Sequence, residues 1–140
     1  MSLKIYGAKA KILIQFDQGI EEVARKLSNG LELPKIRLDY NEYPPYEMIG
    51  MCEVLGFATW LYPSNILEKY QYEFSIETGG CEREINIKQM CDLSLWLARY
   101  ISKICKLETM VINIDTNSGI AFIKGEPIEI NDIRTISNNE

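Results

Sequence analysis

The sequence predicts a two-layer α+β domain, a mostly antiparallel sheet of about five or six strands with two helices packed on one face, in the order β-α-β-β-β-α-β-β. Three observations point there. Tyr70, Tyr72, Phe74 and Ile76 alternate strictly with Gln71, Glu73, Ser75 and Glu77, the two-residue period of a strand with one buried face. Met90, Leu93, Leu97, Ile101 and Ile104 instead recur at three- and four-residue steps, the period of an amphipathic helix. The chain has 140 residues, 46% hydrophobic and 25% charged, the make-up of a folded domain that buries roughly 68–70% of its unfolded surface. No linker-like stretch divides it, so residues 1–140 read as a single domain.

Residues 3–16 alternate loosely, with Ala8, Ala10, Ile12 and Ile14 on one side and Lys9, Lys11 and Leu13 on the other, a first strand bent at Gly7. Asp17 offers an N-cap to a short helix carrying Glu21 and Glu22 in its early turns. Its apolar face is Ile20, Val23, Ala24 and Leu27, and Asn29-Gly30 supplies the stop. Ile36, Leu38 and Tyr40 alternate through a second strand. Pro44-Pro45 then removes two backbone donors and marks a loop or an edge.

Residues 47–62 read as one long strand with a flat, small-residue face (Gly50, Cys52, Gly56, Ala58) and a bulky core face (Ile49, Met51, Leu55, Phe57, Leu61), closed by Pro63-Ser64-Asn65. The alternating strand over 70–77 follows, and after Thr78-Gly79-Gly80 the main core helix is expected over 87–107. Two β-rich runs, 109–114 and 120–123, flank a hairpin loop over 115–119. Residues after about 132 are expected to fray.

Composition excludes several chemistries. The chain contains no histidine, which removes Ser-His-Asp and Cys-His hydrolysis, the HExxH zinc site and proximal-His haem. A net charge of −5 opposes a phosphate backbone, so nucleic acid is not an expected partner. No apolar run approaches the ~20 residues that span a bilayer and no apolar signal segment opens the chain, so the expectation is a cytoplasmic protein without a membrane partner. Ile makes up about one residue in seven and Asn is frequent, a bias that accompanies AT-rich, often bacterial genomes. Cys52, Cys81, Cys91 and Cys105 lack CxxC spacing, so neither zinc nor any other cofactor is expected. Cys52, Cys91 and Cys105 read as small buried hydrophobes. Cys81 follows Gly79-Gly80 in a polar loop, but Glu82 and Glu84 beside it oppose a reactive thiolate. Phosphate loops, dinucleotide fingerprints, nucleophile elbows and EF-hand loops have no match.

Two features stand out as candidate binding residues. Glu53 interrupts a bulky apolar series, where a carboxylate needs a partner such as Arg37 or Arg99, or else a solvent-facing position. The second is the Tyr-rich segment: Tyr40, Tyr43 and Tyr46 flank the double proline, Trp60 and Tyr62 follow, and Asp39, Glu42 and Glu47 give it an acidic rim. The leading expectation is a small non-enzymatic protein-interaction module binding a partner of basic character through this acidic Tyr-rich loop. Small acidic α+β proteins without catalytic signatures include inhibitor-type proteins such as immunity proteins and antitoxins, a likeness of class and not of residues. The alternative is a small-molecule-binding domain in which Glu53, Trp60 and nearby tyrosines hold a cationic or aromatic ligand. An enzyme working through Glu53 or Cys81 ranks third, and exposed sheet edges permit a homodimer.

Overall fold

The computed structural model describes residues 7–40, 48–54, 57–78 and 91–134, apart from the side chains of Tyr40, Met48, Glu53 and Val54. The element order is β1 (Ala8–Gln15), α1 (Ile20–Leu31), β2 (Arg37–Tyr40), β3 (Met48–Val54), β4 (Phe57–Leu67), β5 (Tyr70–Thr78), β6 (Cys91–Asp92), α2 (Ser94–Ile104), β7 (Glu108–Asn113), β8 (Ser118–Ile123) and β9 (Glu126–Ile130). The expected α+β class holds, with two helices against a large, mostly antiparallel sheet. Its strands run in the order β2-β3-β4-β5-β1-β7-β8-β9, and β6 adds a short parallel pairing to β1.

The core follows the parity of β1. Ala10, Ile12 and Ile14 are buried against Val23, Ala24 and Leu27 of α1 and Leu97, Ala98 and Ile101 of α2, with Leu61 and Phe74 joining from β4 and β5. That is the main apolar cluster, and burial of such side chains stabilises by about 1.5–3 kcal/mol each. On the opposite face a smaller cluster forms around Leu13, Leu67, Tyr70, Met110, Ala121 and Ile133. It covers only part of that face.

The sheet holds nine strands among the described residues, against the five or six expected. One extra strand arises because residues 47–62 do not form a single strand: β3 and β4 pair antiparallel, with Gly50 opposite Leu61, Cys52 opposite Thr59 and Val54 opposite Phe57. The reversal also flips the parity. Gly50 packs beneath Ile36, Leu38 and Leu61 on the helix side, so the small residues of β3 face the core, whereas Leu61 supplies the bulk from β4. Pro63-Ser64-Asn65 does not close β4 either, since pairing with β5 resumes at Leu67 after an irregularity. β9 was not anticipated. It pairs with β8 along its length, from Gly119 opposite Ile130 to Ile123 opposite Glu126.

Both helices depart from the expected boundaries. The N-cap of α1 is Gly19, whose carbonyl accepts from Glu22 N at 3.0 Å, and Asp17 is exposed before it. Asn29-Gly30 does not stop α1, which continues to Leu31 and ends at Glu32 in the left-handed conformation (φ 55°). Gly30 has a different purpose: a Cβ there would run into the Cys105 thiol, so the glycine lets α1 lie close to the end of α2. The second helix is shorter than the 87–107 expected. Residues 87–90 lie outside the described range, and Cys91-Asp92 is the extended strand β6, leaving Cys91 exposed rather than buried. Asp92 then accepts from Ser94 N at 2.9 Å, giving the first turn of α2 an anionic partner. Of the tail expected to fray, Ile133 is buried and its N–H donates to Asn117 O at 2.7 Å, while 135–140 lie outside the described residues.

A Cβ on Gly50 would stand 2.7 Å from Ile36 Cγ2 and 3.2 Å from Leu38 Cδ2. Gly50→Ala is therefore expected to destabilise the fold by about 1–3 kcal/mol, the usual cost of overpacking, as read from urea denaturation midpoints at constant slope. An unchanged midpoint would contradict this packing.

Candidate binding surface

The two edges of β1 are used unequally. On one side β5 pairs with it continuously, from Lys9 opposite Glu77 to Ile14 opposite Tyr72. On the other, Ala8 and Lys9 pair with β6, and Leu13, Ile14 and Gln15 pair with β7. The sheet forks between these pairings. Lys11 N donates to Ser94 Oγ at 2.9 Å, so the first residue of α2 satisfies a backbone group left over by the fork.

A cleft of about 620 Å³ occupies the fork and the neighbouring part of the sheet face turned away from the helices. Its walls come from three rows of the register. Leu13 lies opposite Met110 on one side and Glu73 on the other, with Tyr62 beyond. Lys11 lies opposite Ser75, followed by Trp60 and Met51, and Lys9 lies opposite Glu77, followed by Ala58. Ile112 and Ile114 border the β7 side, and Asp92 the β6 side. Trp60 is 39% exposed, a large aromatic surface left open to water on a sheet face.

One buried carboxylate on this face is compensated from within the chain. Glu73 is only 3% exposed, a carboxylate that would be costly to bury alone. Lys11 Nζ stands 3.4 Å from its Oε1, and the Tyr62 hydroxyl donates a hydrogen bond to the same carboxylate. Tyr62 also hydrogen-bonds Ser75. Partial burial, followed by the bond to Glu73, holds the Tyr62 hydroxyl above the ordinary tyrosine range, with the Ser75 bond working against the shift. Tyr62 therefore remains a neutral donor, and among the described residues no buried side-chain polar atom lacks a partner.

The expected site is assembled only in part. Trp60 and Tyr62 both line the cleft, neighbours by register on β4. Tyr40 is placed by its backbone at the end of edge strand β2, and Glu53 lies opposite Ala58 in β3, but their side chains fall outside the description. Glu42, Tyr43, Tyr46 and Glu47 lie wholly outside the described residues, as does Cys81. Arg99, one suggested partner for Glu53, is engaged in the helical layer, where its Nε donates to Gly125 O at 3.0 Å. Sequence reasoning missed Lys9, Lys11, Glu73 and Glu77. The polar side of the clearest alternating strand was the available signal, read there as solvent-facing.

Of the remaining groups, Tyr70 and Cys105 have marked environments. The Tyr70 hydroxyl donates to Glu108 Oε2 at 2.6 Å, an oxygen also 3.0 Å from Lys69 Nζ, and burial, then this bond, pushes the Tyr70 hydroxyl strongly upward. Burial pushes the Cys105 thiol up to about 11, with Lys26 partly offsetting it. Cys52 is half-buried and shares a hydrogen bond of 2.7 Å with Thr59 Oγ1. Cys52, Cys91 and Cys105 are free thiols. Among the described residues no group of three or more Cys, Asp or Glu side chains is arranged to hold a metal ion, and no helix is long and apolar enough to cross a membrane. Comparison with protein-family models, with curated proteins and with solved structures finds no match.

Two outcomes follow from these environments. Tyr62 and Tyr70 keep their protons in the folded state above the ordinary tyrosine pKa, so the unfolded chain ionises first and stability falls as pH rises above about 10. Tyr70→Phe is expected to flatten that fall in denaturation curves taken between about pH 9 and 11; an unaltered slope would show that Tyr70 is not its source. At about pH 8, iodoacetamide is expected to modify exposed Cys91 while buried Cys105 stays protected, as read by peptide mass mapping.

Proposed function

We propose that this chain is a non-catalytic protein-binding module whose working surface is the sheet face around Trp60 and Tyr62, turned away from the helices. The observation that carries the reading is an aromatic-apolar floor, Trp60 with Leu13 and Met110, set beside a buried carboxylate, Glu73, that Lys11 already compensates. An interface centre needs that anatomy: apolar and aromatic groups that lose water on contact, with a polar rim that fixes orientation without stranding a charge. An apolar anchor side chain from the partner fits the floor, and Lys9, Glu77 and Asp92 stand at the rim. The net charge of −5 steers a basic partner toward the molecule, and the undescribed 41–47 segment follows edge strand β2. The non-catalytic part of the reading rests on the absence of histidine from the sequence and on Glu73 and Tyr62 being engaged with each other.

A second reading, a small-molecule site, is favoured by the cleft volume, which lies within the ~300–1,000 Å³ of ordinary ligand pockets. One pair of baits separates the two. Tagged wild-type protein and Trp60→Ala are used to capture proteins from lysate of the source organism at low and moderate salt. The expected result is a stoichiometric protein retained by the wild type, lost with Trp60→Ala at unchanged thermal midpoint, and weakened at moderate salt. A partner held equally by both baits would overturn the assignment of this face, and capture of none would favour the small-molecule reading.

A further inference from the structure

The outward side of α2 is a second surface with a different character. Leu97, Ala98 and Ile101 fix the helix to the sheet, which turns Leu95, Trp96, Arg99, Tyr100, Lys103 and Ile104 to the outside. These fall into two adjacent rows at four-residue steps. Trp96, Tyr100 and Ile104 make an aromatic-apolar ridge, and Arg99 and Lys103 make a basic one. Trp96 is 62% and Tyr100 42% exposed, and their rings stack with centroids 5.8 Å apart and planes inclined by 20°. Scattered single hydrophobes are normal on a surface; four large ones on three turns of one helix form a contiguous patch.

Charge indicates what that patch meets. Residues 94–106 contain Arg99, Lys103 and Lys106 and no acidic side chain, while the rest of the chain holds twelve basic and twenty acidic residues. None of the three cations is in an ion pair among the described residues. Arg99 is already oriented, because its Nε bonds Gly125 O, and Lys103 packs its stem beside the same turn. Little rotamer freedom is therefore left for binding to remove from Arg99. A symmetric copy of this chain would set Arg99 and Lys103 against their own kind. A bilayer or a nucleic-acid duplex is a large polyanion, which the net charge of −5 of the whole chain opposes.

We infer that the outward face of α2 docks an acidic protein segment carrying apolar side chains, which pack along Trp96, Tyr100 and Ile104 while its carboxylates meet Arg99 and Lys103. This site is separate from the cleft and does not depend on it.

The test selects a random 16-residue displayed peptide library on the immobilised full chain and carries wild type, W60A, W96A, W96F and K103E through every binding assay. Enriched peptides are expected to combine Asp or Glu with apolar residues and to bind less tightly as salt rises. Their affinity should drop about tenfold or more in W96A and in K103E, change little in W96F, and be unaffected in W60A. Circular dichroism and thermal midpoints establish that each variant is folded. An enriched pool without acidic bias, no enrichment, or binding indifferent to W96A and K103E would overturn the proposal. So would W96A-sensitive binding to phosphatidylglycerol vesicles or duplex DNA with no matching acidic peptides, since the occupant would then be a lipid surface or a nucleic acid.

Discussion

Strand β1 is where the layers of this molecule are fixed. It pairs with three other strands, β5 along its length, β6 at its start and β7 at its end, and its alternation divides the molecule into two sides. Ala10, Ile12 and Ile14 are the floor on which both helices rest, so a one-residue slip would turn lysines toward α1 and α2. The fork follows from the same geometry. The chain returns through β6 alongside the first residues of β1 and enters α2, so β7 pairs only with the last ones. The open edge between them is closed by a side chain, Ser94, instead of a strand.

The two faces are stabilised by different physics. Behind β1 the gain is burial of aliphatic surface between sheet and helices, non-directional and tolerant of small shifts. In front, Glu73 is buried among polar neighbours, and its stability depends on direction: Lys11 from β1 and Tyr62 from β4 converge on it from the two adjacent strands. Removing either would leave the carboxylate under-satisfied, whereas loss of a methyl group behind the sheet leaves a small cavity. The polar arrangement therefore specifies register more sharply than the core does, and it holds Trp60 at a defined place between Met51 and Ser75.

What was legible in the sequence divides along the same line. The strict alternation over 70–77, the two sides of β1 and the buried stripe Val23, Ala24 and Leu27 were readable because each depends on local periodicity. The antiparallel pairing of β3 with β4 was not, because both strands are largely apolar and no polar cluster separates them in the sequence. β9 was hidden by Glu126, Pro127 and Glu129, residues that resemble a loop and suit an exposed strand at the sheet edge. The start of α2 was misjudged since Met90 and Leu93 continue its period backwards through β6. Trp60 and Tyr62 were singled out from composition, yet what makes them neighbours of a buried carboxylate is strand pairing. The carboxylate itself is Glu73, on the side of β5 that periodicity assigned to water.

Cations show how far local pairing, and not residue type, decides what a charged side chain is left to meet. Lys11 Nζ lies 3.4 Å from Glu73 Oε1, so in the cleft that cation is matched within the chain. Arg99 and Lys103 sit on the one helix that carries basic side chains and no acidic ones, with their closest described hydrogen-bonding partner a neutral carbonyl at Gly125. The same charge therefore contributes little new electrostatic attraction on one side of the molecule and is available to a ligand on the other. A chain of net charge −5 can in this way present an aromatic cleft with an internally paired carboxylate and, across the sheet, a confined basic and aromatic ridge. The sheet keeps them apart, because α2 can reach the fork only with its first turn.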